Sequence, residues 1–221
     1  MLDEDRMPVD AGTGCLLDYR GQRFLMSVAH VTDKPGNWAV ELEYEPGRGV
    51  RLWQTGAQNF LAEIEVDSGK TREIDYSYVI VDPKLSPLRQ VIDQENGLVT
   101  ETRARAIHAE LANPTPEGRY GFCGYVRSGR ENHLFVTEER ICDALTWVGE
   151  DNGIHSFKLP FKHPGHAYFK GCSGAPIIDQ DGRVVALVVR GVEAGDLVLG
   201  VSPMRYLAAL DIEVERQGTA E

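Results

Sequence analysis

Residues 171–189 read GCSGAPIIDQDGRVVALVV, and they are the strongest indication of the architecture. A glycine-rich turn leads into the short apolar segment Ile177-Ile178-Asp179. Asp181-Gly182 then reverses the chain into a run of apolar, mostly β-branched residues. An Asp-Gly pair between two such runs is typical of a β-hairpin. We therefore predict two adjacent antiparallel strands here.

Short segments of the same kind recur along the rest of the chain. They are rich in β-branched and aromatic residues and end at Gly, Pro, Asp or Asn, which favours strands over helices. The predicted strands are 22–28, 39–44, 59–66, 76–81, 120–126, 154–161, 183–189 and 197–202. The main helical candidate runs from Pro203 to Glu215, with apolar residues near one face. The sequence thus predicts an all-β protein with a C-terminal α-helix.

The periodicity fades between Pro83 and Gly118, where prolines and charged residues cluster. This stretch is the best candidate for a linker between two β units, although residues 101–111 would also suit one or two helical turns. We predict an N-terminal domain of residues 1–100, which includes the start of the linker. The C-terminal domain is then residues 101–221, including the final helix.

Composition and charge restrict the partners and the compartment. The chain has 221 residues, 42% hydrophobic and 26% charged, as in ordinary globular proteins. Its net charge of −11 would repel nucleic acid and anionic membranes, so we expect neither as a partner. The four widely spaced cysteines indicate neither a disulfide framework nor a zinc site. The acidic start of the chain and the lack of an 18-residue apolar run favour a cytoplasmic protein.

Ser173, enclosed by Gly171 and Gly174, is a candidate nucleophile. Glycines permit a tight turn, expose the hydroxyl and leave backbone N–H groups directed at a developing oxyanion. The same residues would equally make a plain turn between two strands, because short motifs often occur by chance.

His30 and Asp75 are the candidate partners of this serine. His30 follows an apolar strand and Asp75 precedes the apolar strand 76–81. Alone, His30 suits a core position and Asp75 a cap at the start of a strand. Together the three residues occur in the order His, Asp, Ser, with the first two in one β unit and the serine in the other.

Five motifs in this order resemble those of the trypsin-like serine peptidases. They are Gly12-Thr13-Gly14-Cys15-Leu16-Leu17, Ser27-Val28-Ala29-His30, Asp75 to Val81, Gly171-Cys172-Ser173-Gly174-Ala175-Pro176 and Leu199-Gly200-Val201-Ser202-Pro203. The resemblance covers nearly the whole chain and is greatest to the bacterial, disulfide-free branches of the family. It implies two packed six-stranded antiparallel β-barrels with the active site in the crevice between them.

The resemblance also implies a role for each matched residue. Ser173 would be the nucleophile, His30 the general base and then acid, and Asp75 the group that fixes the imidazole tautomer. The backbone N–H groups of Gly171 and Ser173 would form the oxyanion hole. The protein would then be a serine endopeptidase acting on a polypeptide substrate, with no cofactor and no metal. A catalytically silent binding module of the same fold is the alternative.

Cys172 bears on regulation. Secreted members of the family carry an aspartate at this position, which pairs with a newly cut N-terminal amine during activation. Because Cys172 cannot form that ion pair, we expect no activation by insertion of a new N-terminus, and any regulation would act otherwise, for instance by ordering of loops around the site. By analogy alone, the resemblance also suggests a regulatory or activating protein partner and a place in a larger regulated or defence assembly. Cys172 itself is assigned a structural role, since a thiol needs a lowered pKa to react.

The primary specificity pocket has no acidic residue at the positions that the resemblance assigns to it. Those positions are Ala167 at the base, Tyr168 and Lys170 along one wall, and Val189, Arg190, Gly191 and Gly200 along the other. Cleavage after Arg or Lys is therefore disfavoured, unless Asp196 reaches in from a neighbouring loop. Relatives that select Glu or Gln have a histidine where this chain has Val188, so the expected preference is for a small or aliphatic side chain. The loop His163-Pro164-Gly165-His166 is expected to shape the pocket wall rather than bind zinc.

Overall fold

The structure is a computed structural model, and it describes residues 1–2, 4, 9–33, 37–45, 49–92, 99–131 and 134–218. Its strands are β1 Cys15–Tyr19, β2 Gln22–Ser27, β3 Ala39–Glu45, β4 Gly49–Gln54, β5 Asn59–Ile64, β6 Thr71–Val81, β7 Leu88–Ile92, β8 Val99–Ala104, β9 Ile107–His108, β10 Tyr120–Glu131, β11 Leu134–Asp151, β12 Ile154–Lys158, β13 Pro176–Ile178, β14 Val184–Val192 and β15 Leu197–Val201. The helices are α1 Ala29–Thr32 and α2 Leu207–Gly218, with 3₁₀ turns at His166–Phe169 and Met204–Tyr206. No helix in these ranges has the length and apolar character needed to cross a membrane.

The N-terminal half forms a five-stranded sheet in the order β5-β6-β2-β1-β9. A two-residue turn joins β1 to β2, and both Arg20 and Gly21 take the positive φ angles that such a hairpin turn requires. β6 runs antiparallel to β2, with Ser77 opposite Ser27, whereas β9 runs parallel to β1. The separate hairpins β3-β4 and β7-β8 complete this half within the described residues.

Six strands of the C-terminal half close into a barrel in the order β10-β11-β12-β15-β14-β13. The hairpin predicted from residues 171–189 is the β13-β14 pair. Its turn is held by Asp179, whose carboxylate accepts hydrogen bonds from the backbone N–H groups of Asp181 and Arg183, while Gly182 takes a φ of 79°. β14 is buried from Val184 to Val188, in keeping with its unbroken apolar run.

One hydrophobic cluster fills the barrel, and a second joins the barrel to the N-terminal sheet. The second cluster contains Phe24 and Tyr76 from the sheet together with Leu187 from β14 and Leu210 from α2. All four side chains are fully buried. The two halves and the C-terminal helix therefore share one apolar interface, which stabilises their contact.

The predicted all-β class with a C-terminal helix is confirmed. The N-terminal half is a five-stranded sheet with two hairpins among the described residues, rather than a closed ladder like that of the C-terminal half. The helical alternative for residues 101–111 is wrong: part of this stretch extends β8, which satisfies its backbone hydrogen bonds by pairing with β7. The α-helix begins at Leu207, because Pro203 first opens a 3₁₀ turn. The division into domains at residue 100 stays a prediction.

Candidate active site

His30 lies at the junction of β2 and α1. β2 ends at Ser27, Val28 is extended, and the chain then turns into the four-residue helix that contains His30. Val28 is fully buried and anchors the start of this helix, whereas 48% of the His30 side chain is exposed. The end of the strand thus brings the imidazole out of the core to a position that a ligand can reach.

Asp75 lies on β6, the neighbour of β2, and it contacts His30 twice. One carboxylate oxygen accepts a hydrogen bond from the His30 backbone N–H at 2.9 Å, and the other pairs with His30 Nδ1 at 2.7 Å. Thr32 Oγ1 donates to Ser77 Oγ at 2.8 Å, which ties α1 to the same strand. Burial acts to raise the pKa of the Asp75 carboxyl, but the hydrogen bonds from His30 outweigh it and hold that pKa below its ordinary value. Asp75 is therefore ionised near neutral pH.

Thr13 holds the turn that carries Ser173. Its backbone N–H donates to Ser173 O at 3.3 Å, and its hydroxyl donates to Gly171 O at 2.7 Å. Its carbonyl oxygen accepts a hydrogen bond from Ser27 Oγ at 2.9 Å. Because Ser27 precedes His30 by three residues, Thr13 joins the serine turn to the element that carries the histidine.

The Ser173 hydroxyl donates to the backbone carbonyl oxygen of Val189 at 3.1 Å. Within the ranges that the structure describes, it makes no hydrogen bond to His30. Two of the three predicted catalytic groups, His30 and Asp75, are thus in hydrogen-bond contact. The hydroxyl has a different partner in this state of the chain.

Two backbone N–H groups of the serine turn have no acceptor among the described residues, those of Gly171 and Ser173. The intervening and following N–H groups are bonded within the protein: Cys172 to Phe169 O, Gly174 to Val188 O and Ala175 to Cys172 O. The left-handed φ angles of Gly171 (103°) and Gly174 (87°) shape this turn. The two N–H groups that the resemblance assigns to an oxyanion hole are therefore the ones left available to a ligand.

The residues predicted to line the primary pocket lie mainly on two elements that touch each other, the 3₁₀ turn 166–169 and β14. Ala167 and Tyr168 belong to the turn, Lys170 follows it, and Val189, Arg190 and Gly191 lie on β14. The side chains of Lys170 and Arg190 are exposed, so each element carries a cation at its surface. Arg140 of β11 places its guanidinium 5.0 Å from the centre of the Tyr168 ring.

Gly200 and Asp196 are positioned differently from the other pocket residues. A Cβ atom on Gly200 would point at Ala186 and Ile177, which lie in the barrel core, so its position favours packing over substrate contact. Asp196 accepts a hydrogen bond from the His163 backbone N–H at 2.8 Å and pairs with Lys158 Nζ at 3.4 Å. The Asp196 carboxylate therefore already has partners close to its own loop and does not point to the pocket as a free acid.

Sequence reasoning gave no separate role to Thr13 and Arg140, and it treated His163 only as part of a wall-shaping loop. His163 lies between the two pocket elements and is 8% exposed. The Gly-Thr-Gly motif at residues 12–14 is a signal for Thr13, but no local pattern indicates where Arg140 or His163 points. Their contacts depend on how distant segments pack.

Comparisons with known proteins identify the fold. No family model and no curated protein matches this chain. Among solved structures, neuropsin, a serine protease of mouse brain, is similar with a TM-score of 0.52 and 12% identity, covering 86% of this chain and 84% of its own. Human heparin binding protein gives 0.51 and 13%, covering 86% and 79%, and an inactivated protease paralogue of the scabies mite gives 0.52 and 13%, covering 88% and 83%.

These neighbours define the class: the chain has the chymotrypsin-like fold of the serine proteases. The identities are low, so the likeness extends to the fold alone. The scabies mite neighbour is named an inactivated protease paralogue, so this fold by itself does not specify turnover.

Proposed function

We propose that this protein is a serine endopeptidase with Ser173 as nucleophile, His30 as general base and then acid, and Asp75 as the partner of the imidazole. The double hydrogen bond between Asp75 and His30 carries the proposal. A carboxylate bonded to Nδ1 keeps the hydrogen on that nitrogen and leaves Nε2 as the acceptor that a general base needs. The carboxylate also stabilises the imidazolium that forms when His30 takes a proton.

The reaction proceeds in two halves. A serine hydroxyl is almost fully protonated near pH 7, so His30 Nε2 takes its proton as Ser173 Oγ attacks the peptide carbonyl. The tetrahedral oxyanion accepts hydrogen bonds from the N–H groups of Gly171 and Ser173, each worth about 2.7–4 kcal/mol in the transition state. The imidazolium returns the proton to the leaving amine, and water then hydrolyses the acyl-enzyme by the same route.

Before attack, Ser173 Oγ has to turn from Val189 O towards His30. The bond it leaves is a single neutral hydrogen bond, worth about 0.5–1.5 kcal/mol net. Rotation of a side chain between staggered positions is also fast compared with turnover. The present hydroxyl position is therefore compatible with a resting enzyme.

The same hydroxyl position supports a second candidate, a binding module of the protease fold without turnover. In that case Ser173 stays bonded to Val189 O and the crevice holds a polypeptide without cleaving it. The scabies mite neighbour, an inactivated protease paralogue, is an example of this fold without turnover.

Labelling by a fluorophosphonate separates the two candidates. An active site gives an adduct on Ser173 that is lost in Ser173→Ala and in His30→Ala. Ser86→Ala and His108→Ala are the matched controls, since both residues lie outside the site, and they retain the label. A folded wild-type chain that takes no label, with circular dichroism as the check on folding, favours the binding module.

We further propose that the enzyme works in the cytoplasm of a bacterial cell and under the control of a protein partner, within a larger regulated or defence assembly. The buried thiols of Cys15, Cys142 and Cys172 support a reducing compartment. Cys172 also replaces the aspartate through which secreted relatives are activated. Fractionation of the producing cells and mass spectrometry of proteins that co-purify with Ser173→Ala test these statements. Recovery of the protein outside the cell would contradict the cytoplasmic location. Full activity of the isolated chain would contradict control by a protein partner.

A further inference from the structure

His163 occupies the space between the two elements that flank the primary pocket. Its ring meets the Phe169 ring edge to face, with centroids 5.4 Å apart, on the side of the 3₁₀ turn. On the side of β14, a Cβ atom on Gly191 would overlap His163 Nε2 and lie 3.1 Å from Cε1. The absence of a side chain at Gly191 is therefore what makes room for this imidazole.

The hydrogen bonds of His163 determine which ring nitrogen carries the hydrogen. Nδ1 accepts a hydrogen bond from the Gly165 N–H at 3.0 Å, so the neutral ring has its hydrogen on Nε2. The backbone N–H of His163 is held by Asp196, which fixes the loop. Nε2 is buried and has no partner among the described residues. Leaving a buried donor without an acceptor costs free energy, and a ligand atom that accepts its hydrogen bond removes that penalty.

We propose that His163 Nε2–H is the hydrogen-bond donor of the primary pocket, and that the protein selects a residue whose side chain ends in a carboxylate or carboxamide oxygen, Glu or Gln, before the scissile bond. This inference rests on the proposed function and replaces the expected preference for small or aliphatic side chains. That expectation followed from Val188, the position where relatives carry their histidine. Here the imidazole comes instead from the loop before the serine turn, which the sequence pattern does not reveal.

The surrounding charges agree with this selection. Lys170 and Arg190, one beside each pocket element, are exposed cations in a chain of net charge −11. Two acids contact the loop: Asp196 is paired with Lys158 and the His163 backbone N–H, and Glu193 accepts a hydrogen bond from the His166 backbone N–H at 3.2 Å. Both carboxylates thus have partners in the loop, and the residues that the resemblance assigns to the pocket carry cations rather than the carboxylate that Arg or Lys would need.

Since Nε2 has no contact with solvent in the unbound chain, a substrate side chain reaches it only if the loop and β14 separate. The side-chain oxygen of Glu or Gln then accepts a hydrogen bond from the His163 Nε2–H that this separation exposes. An aliphatic side chain enters the same space but leaves the donor unpaired, and sites built around a hydrogen bond reject substrates that cannot make it.

Peptides identical except for the residue before the scissile bond test the proposal, with Gln, Glu, Ala, Leu and Arg at that position. The wild-type protein is expected to show a kcat/KM at least tenfold higher for Gln or Glu than for Leu, and the Gln and Glu arms show which of the two oxygen acceptors is preferred. His163→Leu is expected to reduce this ratio at least tenfold, whereas His163→Gln, which keeps a donor, retains part of it.

His155→Leu is the matched control. His155 is also buried with an unpartnered Nε2, but it packs between Trp147 and Phe157, and its Nδ1 accepts the Trp147 indole N–H. A merely structural effect of losing a buried histidine lowers kcat/KM for all five peptides alike and leaves their ratios unchanged. If His163→Leu behaves in that way, or if wild type prefers Leu or Arg, the proposal is overturned.

A binding measurement distinguishes failure of this inference from failure of the proposed function. In Ser173→Ala, which cannot form an acyl-enzyme, calorimetry with the intact Gln, Glu and Leu peptides measures selection without turnover. Tighter binding of Gln or Glu that is lost on adding His163→Leu supports the inference, even if wild type takes no fluorophosphonate label. Equal affinities for all three peptides overturn it, even if labelling shows an active serine.

Discussion

The carbonyl oxygen of Thr13 occupies the position that a Cβ atom on Gly174 would need. Ser27 Oγ, which donates to that same carbonyl, crowds the position from the other side. Residues from the two halves of the chain are thus in contact at the turn that carries Ser173. Since Ser27 and Ser173 both bond to Thr13, the distance between histidine and serine elements depends on this contact.

Replacing Gly174 by alanine should destabilise the protein and disrupt the site. The positive φ alone costs about 1–2 kcal/mol for a residue with a side chain, and the clash with Thr13 adds about 1–3 kcal/mol of overpacking. Gly182→Ala is the matched control, because Gly182 has a similar φ of 79° but no atom within 4 Å of the added Cβ. Urea unfolding measures both variants, and equal losses of stability would falsify the steric argument.

Asp75→Asn should abolish most of the turnover while leaving the fold intact. The amide is nearly the same size as the carboxylate, but it cannot hold His30 in the correct tautomer or stabilise the imidazolium. If the proposed function holds, the expected decrease in kcat is on the order of 10⁴, the effect that the same change has in a known Ser-His-Asp protease. Asp67→Asn, which removes an exposed carboxylate elsewhere, is the control. Activity of Asp75→Asn close to wild type, with an unchanged circular dichroism spectrum, would assign the role to another residue.

Asp179 should make the barrel hairpin sensitive to acid. Burial acts to raise the pKa of this carboxyl, but its hydrogen bonds with Arg183 prevail and hold the folded-state pKa below 3.8. The ionised group therefore contributes stability that is present above the unfolded pKa and lost as the pH falls through the lowered folded value. The free energy of unfolding, measured by urea from pH 6 to pH 2, should differ between wild type and Asp179→Asn at the upper end and converge at the lower end.

Asp181→Asn, in the same turn, is the comparison for this measurement, since the Asp181 side chain is 71% exposed. Its difference from wild type should be small at every pH, as is usual for an exposed ion pair. A gap between wild type and Asp179→Asn that stays constant down to pH 2 would contradict the linkage.

Cys172 should be inert despite lying next to the proposed nucleophile. Burial raises the pKa of its thiol to about 12, so the reactive thiolate is scarce at pH 8. Iodoacetamide applied to the folded protein should leave Cys172 unmodified by mass spectrometry, while the exposed Cys123 reacts. Cys172→Ala should still take the fluorophosphonate on Ser173. Loss of that label together with rapid alkylation of Cys172 would indicate a thiol nucleophile instead.

Strand prediction was most accurate where apolar residues alternate or form an unbroken run, as in β2 and β14. It missed the whole of β11, an 18-residue strand. β11 carries Ile141 and Val148 as exposed apolar residues, 71% and 56% accessible, so its two faces do not differ in the way that the period-two pattern requires. Its long pairing with β10 compensates for this weak pattern. The helical alternative for residues 101–104 was also wrong, because pairing of these residues with β7 outweighs their local preference.

Local patterns were sufficient to predict the β class, the C-terminal helix and the Gly-flanked serine turn. Each of these depends on neighbours within a few positions, such as alternation along a strand or a glycine that permits a positive φ. The candidate residues His30, Asp75 and Ser173 came instead from the order of several motifs along the chain and their resemblance to a known family, because each residue alone also had a purely structural interpretation. The partner of the Ser173 hydroxyl, the role of Thr13 and the insertion of His163 beside Gly191 emerged only from packing. Contacts between residues far apart in the chain depend on the shape and volume of everything between them, and no short pattern encodes that.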